Sequence, residues 1–355
     1  MDPLVVELEA LRGRRVLVTG STGFKGSWLC NWLVGLGADV AGFALTPDPD
    51  APLFGQLRLK DRIHQIFGDI RDVSVLRRTA SEFEPEVIIH LAAQALVLRG
   101  YEEPKLTFDT NVGGAINLLE VARLTPSVRA LVFVTSDKCY LNKEWTWAYR
   151  ENDELGGADP YSGSKAAAEL VFASYQASYF LHRSDFAAAT ARAGNVIGGG
   201  DRSRDRIVPD CIRSVEAGVP IRLRNPDATR PWQHVLEPVS GYLLLASRLI
   251  KQVDNARGSW NFAPNNRNVR TVREMAERVT KAWGSGDVVV ERDKAARHEA
   301  QLLMLSNEKA KSFLGWSPRW DFDAAVDKTV SWYRSVGEGA DPVEITNQQI
   351  TDYLG

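Results

Sequence analysis

The segment VLVTGSTGFKGSWLCNWLVGLG, residues 16–37, sets three glycines, Gly20, Gly23 and Gly26, between a β-branched run and an amphipathic helical pattern. Glycine permits the tight turn after a strand and lets backbone N–H groups close on a pyrophosphate. It also lets the following helix pack on the sheet, with the helix N-terminus favouring negative charge. A glycine triplet also occurs in ordinary turns; its place in the first βαβ unit selects dinucleotide binding, with Gly20, Thr22, Gly23, Phe24, Lys25 and Gly26 as cofactor contacts. The spacing is G-x-x-G-x-x-G, and the first acid after the second strand's apolar run is Asp48, beyond a Thr-Pro. Between Lys25 and Arg58 the chain carries no Lys or Arg to neutralise an extra phosphate, so NAD is expected rather than NADP.

Working outward, RRVLVT, ADVAGFA, RIHQIF, EVIIHLA, ALVFVTS and FAAATARA read as strands separated by helical segments. Such strands, apolar on both faces, predict a doubly wound, Rossmann-type parallel sheet with helices on both sides. After about Gly194 the pattern turns to Gly- and Arg-rich loops such as GNVIGGGDRSRDR, which suit a smaller C-terminal lobe closing over a polar ligand. The expected division is a nucleotide-binding domain over 1–193 and a mainly substrate-binding lobe over 194–355, with the chain free to cross back.

The 355 residues, 44% hydrophobic and 25% charged with a formal net charge of -2, describe a soluble protein without general attraction to nucleic acid or anionic lipid. No apolar run is long enough for a bilayer, and MDPLVVELEALRGRR lacks the order of a secretory signal, so a cytoplasmic location is expected. Cys30, Cys139 and Cys211 suggest no disulfide framework, and the five histidines show no metal-ligand spacing. No metal is expected.

Further along, FGDIRD offers Asp69 and Ile70 to an adenine ring, although Asp69 would serve equally as a loop cap. HLAAQ, residues 90–94, ends the fourth strand in small residues, so Leu91, Ala92, Ala93 and Gln94 let a cofactor approach the backbone. His90 reads as a core histidine.

LVFVTSDKCY, residues 131–140, begins as a buried strand and ends on Ser136, Asp137 and Lys138, where desolvating two charges is costly. DPYSGSKAAAEL then puts Tyr161 and Lys165 four apart at a helix start, on one face. Any helix can carry that pair; downstream of a phosphate loop, a nearby ammonium and a bound nicotinamide would favour phenolate and make Tyr161 a base. Cys139 reads as packing.

The glycine loop and Y-x-x-x-K resemble the extended short-chain dehydrogenase/reductases. Within them TGSTGFKGSWL, VTSDKCYLNKEWTWAYREND, DPYSGSK, RAGNVIGGGD, DATRPWQHVLEP and HEA are similar to the CDP-glucose 4,6-dehydratases, from about residue 14 to 335. The resemblance implies NAD and CDP-glucose or a related sugar nucleotide. It implies that Tyr161 takes the proton of the carbon 4 hydroxyl while NAD is transiently reduced. The carbon 5 proton is then removed, carbon 6 loses water, and NAD is restored. Asp137 is assigned as acid and Lys138 as base, the reverse staying open; Ser136 positions the carbon 4 oxygen or Tyr161. Arg230 resembles the diphosphate-binding arginine, with Arg192, Asn195, Arg206 and His298 as further substrate contacts and Trp232 placed to pack on a base or sugar. Three departures stand out: Ser21 for the usual histidine, Gly163 for asparagine, and Arg202, which could reshape the substrate loop. The family habit of pairing the Tyr161 helix with its copy implies a homodimer or homotetramer. An epimerase or another sugar-nucleotide dehydratase of the same fold, or a silent NAD-binding scaffold, are the competing readings.

Overall fold

Six runs of small and β-branched residues form the parallel strands β1 (Arg15–Thr19), β2 (Asp39–Ala44), β3 (His64–Phe67), β4 (Val87–His90), β5 (Ala130–Val134) and β6 (Ala187–Ala193). These are the six strands expected from the sequence. A computed structural model describes residues 2–265, 269–291 and 302–355. A seventh strand, β7 (Gly258–Phe262), lies outside that expectation; it pairs in parallel with β6, aligning Asn261 with Arg192 and Phe262 with Ala193. The sheet order is β7-β6-β5-β4-β1-β2-β3. The strand order reverses between β1 and β4, and ligands in such sheets bind at that crevice, beyond the strands' carboxyl ends.

Interior strands are buried along their length: every residue of β4, β5 and β6 is covered, whereas the edge strand β3 exposes His64 and Phe67. The β6 sequence, AAATARA, contributes almost no bulk, which leaves room beside it for longer polar side chains. The Phe24–Gly35 helix starts at Gly23, and it is buried nearly all round rather than amphipathic. The C-terminal segments cover its outer side: Asn31 Nδ2 donates to Asn347 Oδ1 at 2.8 Å, and Trp32 meets the Tyr353 ring edge-on. The Pro160–Ser178 helix opens with Asp159 accepting from the Ser162 N–H at 3.0 Å and Pro160 in its first turn, where a missing N–H does no harm. Its buried face carries Tyr161, Lys165, Ala168, Glu169 and Phe172.

After Ala193 the chain makes short pairings, Val196–Ile197 with Gln233–His234, Thr229–Pro231 with Val269–Thr271, and Ile221–Leu223 with Val288–Val290. Between Gln233–His234 and Val269–Thr271 it returns to the main sheet through the Leu236–Ile250 helix and β7. That helix is buried along almost its whole length in the core beneath the sheet, where Leu243, Leu245 and Leu249 pack with Val132 and Ala189. Among the described residues no helix is long and apolar enough to cross a membrane.

Candidate active site

The glycine loop is built by backbone contact. Gly20 has φ +76°, a left-handed conformation that glycine adopts freely, and a Cβ there would lie 2.8 Å from the Ala92 nitrogen. A Cβ on Gly26 would lie 2.0 Å from the Gly20 carbonyl oxygen, so helix and turn touch only because side chains are missing. Gly23, exposed at the helix N-cap, meets nothing nearer than 3.4 Å and leaves its outer side open to an anion.

Around this loop the remaining cofactor candidates divide. Thr22 Oγ1 donates to the Leu45 carbonyl at 3.1 Å. Asp69 is occupied by Arg71, whose Nη2 lies 2.5 Å from Oδ2, and the hydrogen bonds from Arg71 hold the Asp69 carboxyl below its usual range despite burial. Ile70 is buried against Gly114. The Gln94 side chain closes its own turn through Leu96 and Thr107, so it offers the cleft backbone rather than amide. Asp48, exposed, accepts from the Asp50 N–H and caps its own turn. Lys165 is 6% exposed, yet its ammonium has no hydrogen bond or ion pair among the described residues. An open loop of N–H donors and a buried unpartnered ammonium fit a dinucleotide.

The strand end at Ser136 is no solvated terminus. The Asp137 side chain is 7% exposed, accepts from Ser136 Oγ at 2.8 Å, and lies against Gly194 at the end of β6. Lys138, half-buried, holds its Nζ 4.0 Å from Asp137 Oδ2. The Ser136 hydroxyl lies near enough to the Tyr161 phenol to favour its ionised form, and Lys165 Nζ stands 6.0 Å from the centre of the Tyr161 ring.

The electrostatics differ from the sequence expectation of a phenol drawn down by Lys165. Burial pushes Tyr161 up to about 12; Ser136 and Arg206 oppose this, while Asp137 and Asp159 add to it. Burial lowers Lys165 to about 8, and Lys25 likewise to about 8, with Arg206 and Lys165 pushing Lys25 the same way and Asp137 and Asp201 opposing. Lys25, in the first turn of the helix after the glycine loop, is therefore close enough to Asp137, Lys165 and Arg206 to feel their charges. His90 is held neutral, lowered to about 3 by burial, and lies 2.7 Å from Thr19 Oγ1 through Nδ1, a core role.

Two substrate candidates are corrected. Arg192 is buried, and all five of its N–H groups are used: by Glu169 Oε1 and Oε2, the Tyr140 hydroxyl, the Glu151 carbonyl and Ser259 Oγ. It has no donor left for a substrate. Trp232 is buried in the core against Phe322. Arg206 does reach the centre, close enough to act on Tyr161 and Lys25, with Nη1 3.4 Å from Asp201. Asn195 follows Gly194 beside Asp137 and accepts from the Gln233 N–H through its carbonyl. Arg230 is buried in the Thr229–Pro231 strand opposite Arg270. His298 lies outside the described residues.

The three departures have structural homes. Ser21 is buried and donates to Gln65 at 2.8 Å; a Cβ on Gly163 would lie 3.6 Å from the Phe108 ring, an ordinary contact; Arg202 forks onto Glu216 and covers the Tyr333 ring. Sequence reasoning missed Asn111, whose amide joins the Gln94 backbone to Ser164 Oγ at 2.9 Å, and Glu169, four residues beyond Lys165. The i, i+4, i+8 spacing of Tyr161, Lys165 and Glu169 was the available signal.

Residues 17–329 match the GDP-mannose 4,6 dehydratase family. The chain belongs to this family. A CDP-glucose 4,6-dehydratase of Salmonella typhimurium is 43% identical over 347 residues, covering 97% of each chain. A UDP-glucose 4-epimerase of Thermus thermophilus, solved in complex with NAD, is 27% identical with a TM-score of 0.74, covering 90% of this chain and 99% of that one. The fold is shared with a dTDP-glucose 4,6-dehydratase of Bacillus anthracis, TM-score 0.75 at 23% identity, covering 93% and 99%. In the terms of this dehydratase family, the buried turn 136–138 and the Tyr161 helix face one crevice.

Proposed function

We propose that the protein is a lyase that converts CDP-glucose to CDP-4-dehydro-6-deoxy-glucose and water with NAD as its resident cofactor. The observation that carries this reading is the buried Ser136–Asp137–Lys138 turn set against Gly194, with Tyr161 close enough to feel both Ser136 and Asp137. The near full-length similarity to a CDP-glucose 4,6-dehydratase supports the choice of substrate. The open glycine loop at Gly20, Gly23 and Gly26 and the ammonium of Lys165 would hold the dinucleotide. When bound, NAD supplies a hydride acceptor and donor that is restored in each turnover.

The chain's own groups move the protons. Tyr161 Oη accepts the proton of the carbon 4 hydroxyl, and Ser136 orients that phenol. A phenol held at about 12 by burial needs added positive charge to ionise near neutral pH; Arg206 already pulls it down, and the positive nicotinamide of bound NAD would add to that pull. Lys138 Nζ takes the carbon 5 proton, and Asp137 gives a proton to the departing carbon 6 oxygen. Once carbon 6 is reduced, Lys138, having exchanged its proton with solvent, returns one to carbon 5, and the proton left on Tyr161 reaches Asp137 through solvent, which resets all three groups; Lys138 and Asp137 stand 4.0 Å apart on the same turn. Arg206 and Arg230 are assigned to the diphosphate, and Asn195 to the sugar side.

Incubation with CDP-glucose in deuterated water tests the reading: a 4-keto product labelled at carbon 5 is expected. Epimerised sugar nucleotide without loss of water, or no product, would refute it. A homodimer or homotetramer and a cytoplasmic location complete the proposal. The apolar residues Phe108, Ile116, Leu170 and Tyr179, exposed on and just beyond neighbouring helices, support self-association, which light scattering would measure.

A further inference from the structure

Glu169 and Arg192 are each 2% exposed and form a bidentate ion pair, Oε1 to Nε at 2.9 Å and Oε2 to Nη2 at 2.7 Å. Replacing a buried ion pair by apolar residues of similar volume is often neutral or stabilising, so stability alone does not account for it. What the pair joins is more informative. Glu169 lies on the buried face of the helix that carries Tyr161 and Lys165, and its carboxylate also accepts from Thr135 Oγ1 at 2.5 Å and Thr190 Oγ1 at 3.0 Å. Thr135 immediately precedes Ser136. Arg192 donates to the Tyr140 hydroxyl at 2.6 Å, two residues beyond Lys138, and to Ser259 of β7. The turn bearing Asp137 and Lys138 is thus held on both flanks by the same pair that anchors the Tyr161 helix.

We infer that the Glu169–Arg192 pair is a positioning element that sets the spacing between the oxidising groups, Tyr161 and Lys165, and the eliminating groups, Asp137 and Lys138. This rests on the dehydratase reading, in which one sugar ring must meet both sets in turn: carbon 4 at one, carbons 5 and 6 at the other. Neither partner touches the reacting atoms. Both groups reach them through the helix and the turn they tie together, and a misplacement of about 1 Å at such a site can cost ~10²-fold in rate.

The test uses the NAD-loaded protein mixed rapidly with CDP-glucose. The near-ultraviolet absorbance of reduced nicotinamide follows carbon 4 oxidation, and quenched samples follow water loss. In the double variant Glu169→Leu with Arg192→Met, folding comparable to the parent and oxidation within a few-fold are expected. Water loss slows by ~10²-fold, so the absorbance builds and persists. Thr135→Val removes only the hydroxyl beside Ser136, and should show the same build-up with a smaller delay; it decides the matter if the double variant fails to fold. Unchanged rates, or equal slowing of both steps in whichever variant folds, would overturn the inference. A parent protein that releases no water from CDP-glucose would instead overturn the reading beneath it. A parent that does so while the variants keep its ratio of rates removes the role of the pair alone.

Discussion

Asp137 rests against Gly194: a Cβ on the glycine would stand 3.2 Å from the carboxylate oxygen Oδ2, closer than most side-chain contacts. The end of β6 therefore sets how far the carboxylate can turn. Gly194→Ala should fold, since its φ lies outside the left-handed region, but it should push Asp137 by a few tenths of an ångström. A fall in turnover of about tenfold with an unchanged melting temperature is expected. Parent-like kcat would detach this contact from the chemistry.

Tyr161→Phe keeps the buried ring and loses only the hydroxyl that lies near Ser136. NAD should remain bound while turnover drops by ~10²–10⁴-fold, the usual contribution of a positioned acid–base group. Quantifying bound dinucleotide alongside kcat separates the two effects, and full activity would remove the phenol from the mechanism.

Replacing Lys138 distinguishes the two proton-transfer roles at the turn. Lys138→Met should leave oxidation at carbon 4 intact and abolish solvent exchange at carbon 5, measured by incorporation of deuterium. Retained exchange would transfer the base role to Asp137.

A separate carboxyl governs stability against pH. Glu237 is fully buried; it accepts from the Trp320 N–H at 2.8 Å, the Arg319 N–H at 3.0 Å and the Tyr353 hydroxyl at 2.7 Å. Burial pushes it up to about 7 from 4.5, against the pull of those hydrogen bonds. The native state then holds a proton that the unfolded chain has released, so the contribution is full below about pH 4.5 and is lost as pH rises to about 7. Glu237→Gln keeps the acceptor and the shape while removing the titration. Urea unfolding should show the parent losing a few kcal/mol relative to this variant across that window. Parallel profiles would contradict the assignment.

The sequence revealed whatever its local pattern encodes. The glycine loop announced itself through spacing, and six strands through alternation of apolar runs with helices; both follow from near neighbours in the chain. What stayed hidden depends on distant partners. Arg192 reads as a substrate contact because its motif adjoins a loop, and only Glu169, packed from a helix that precedes it in the chain, shows its donors to be consumed. Trp232 beside Arg230 suggests a stacking platform, and its contact with Phe322 in the core is set by the far C-terminal segment. The strand GSWNF, with glycine, serine and asparagine among five residues, lacked the apolar run that marked the others. Its place is secured by β6 alongside and by Phe262 packing close on Gly241.

That late strand has a bearing on protein engineering. Because Gly258–Phe262 lies along β6 and the Leu236–Ile250 helix sits beneath the same sheet, a fragment ending near Ala193 would bare a sheet margin and strip one face of its cover. Such a fragment should aggregate, and chimeras that swap everything after Ala193 for a homologue's C-terminal half should fail unless the donor's helix and strand match the recipient's underside. Exchange of substrate preference is better sought by grafting the loops at 198–206 and 224–228 than by trading whole halves.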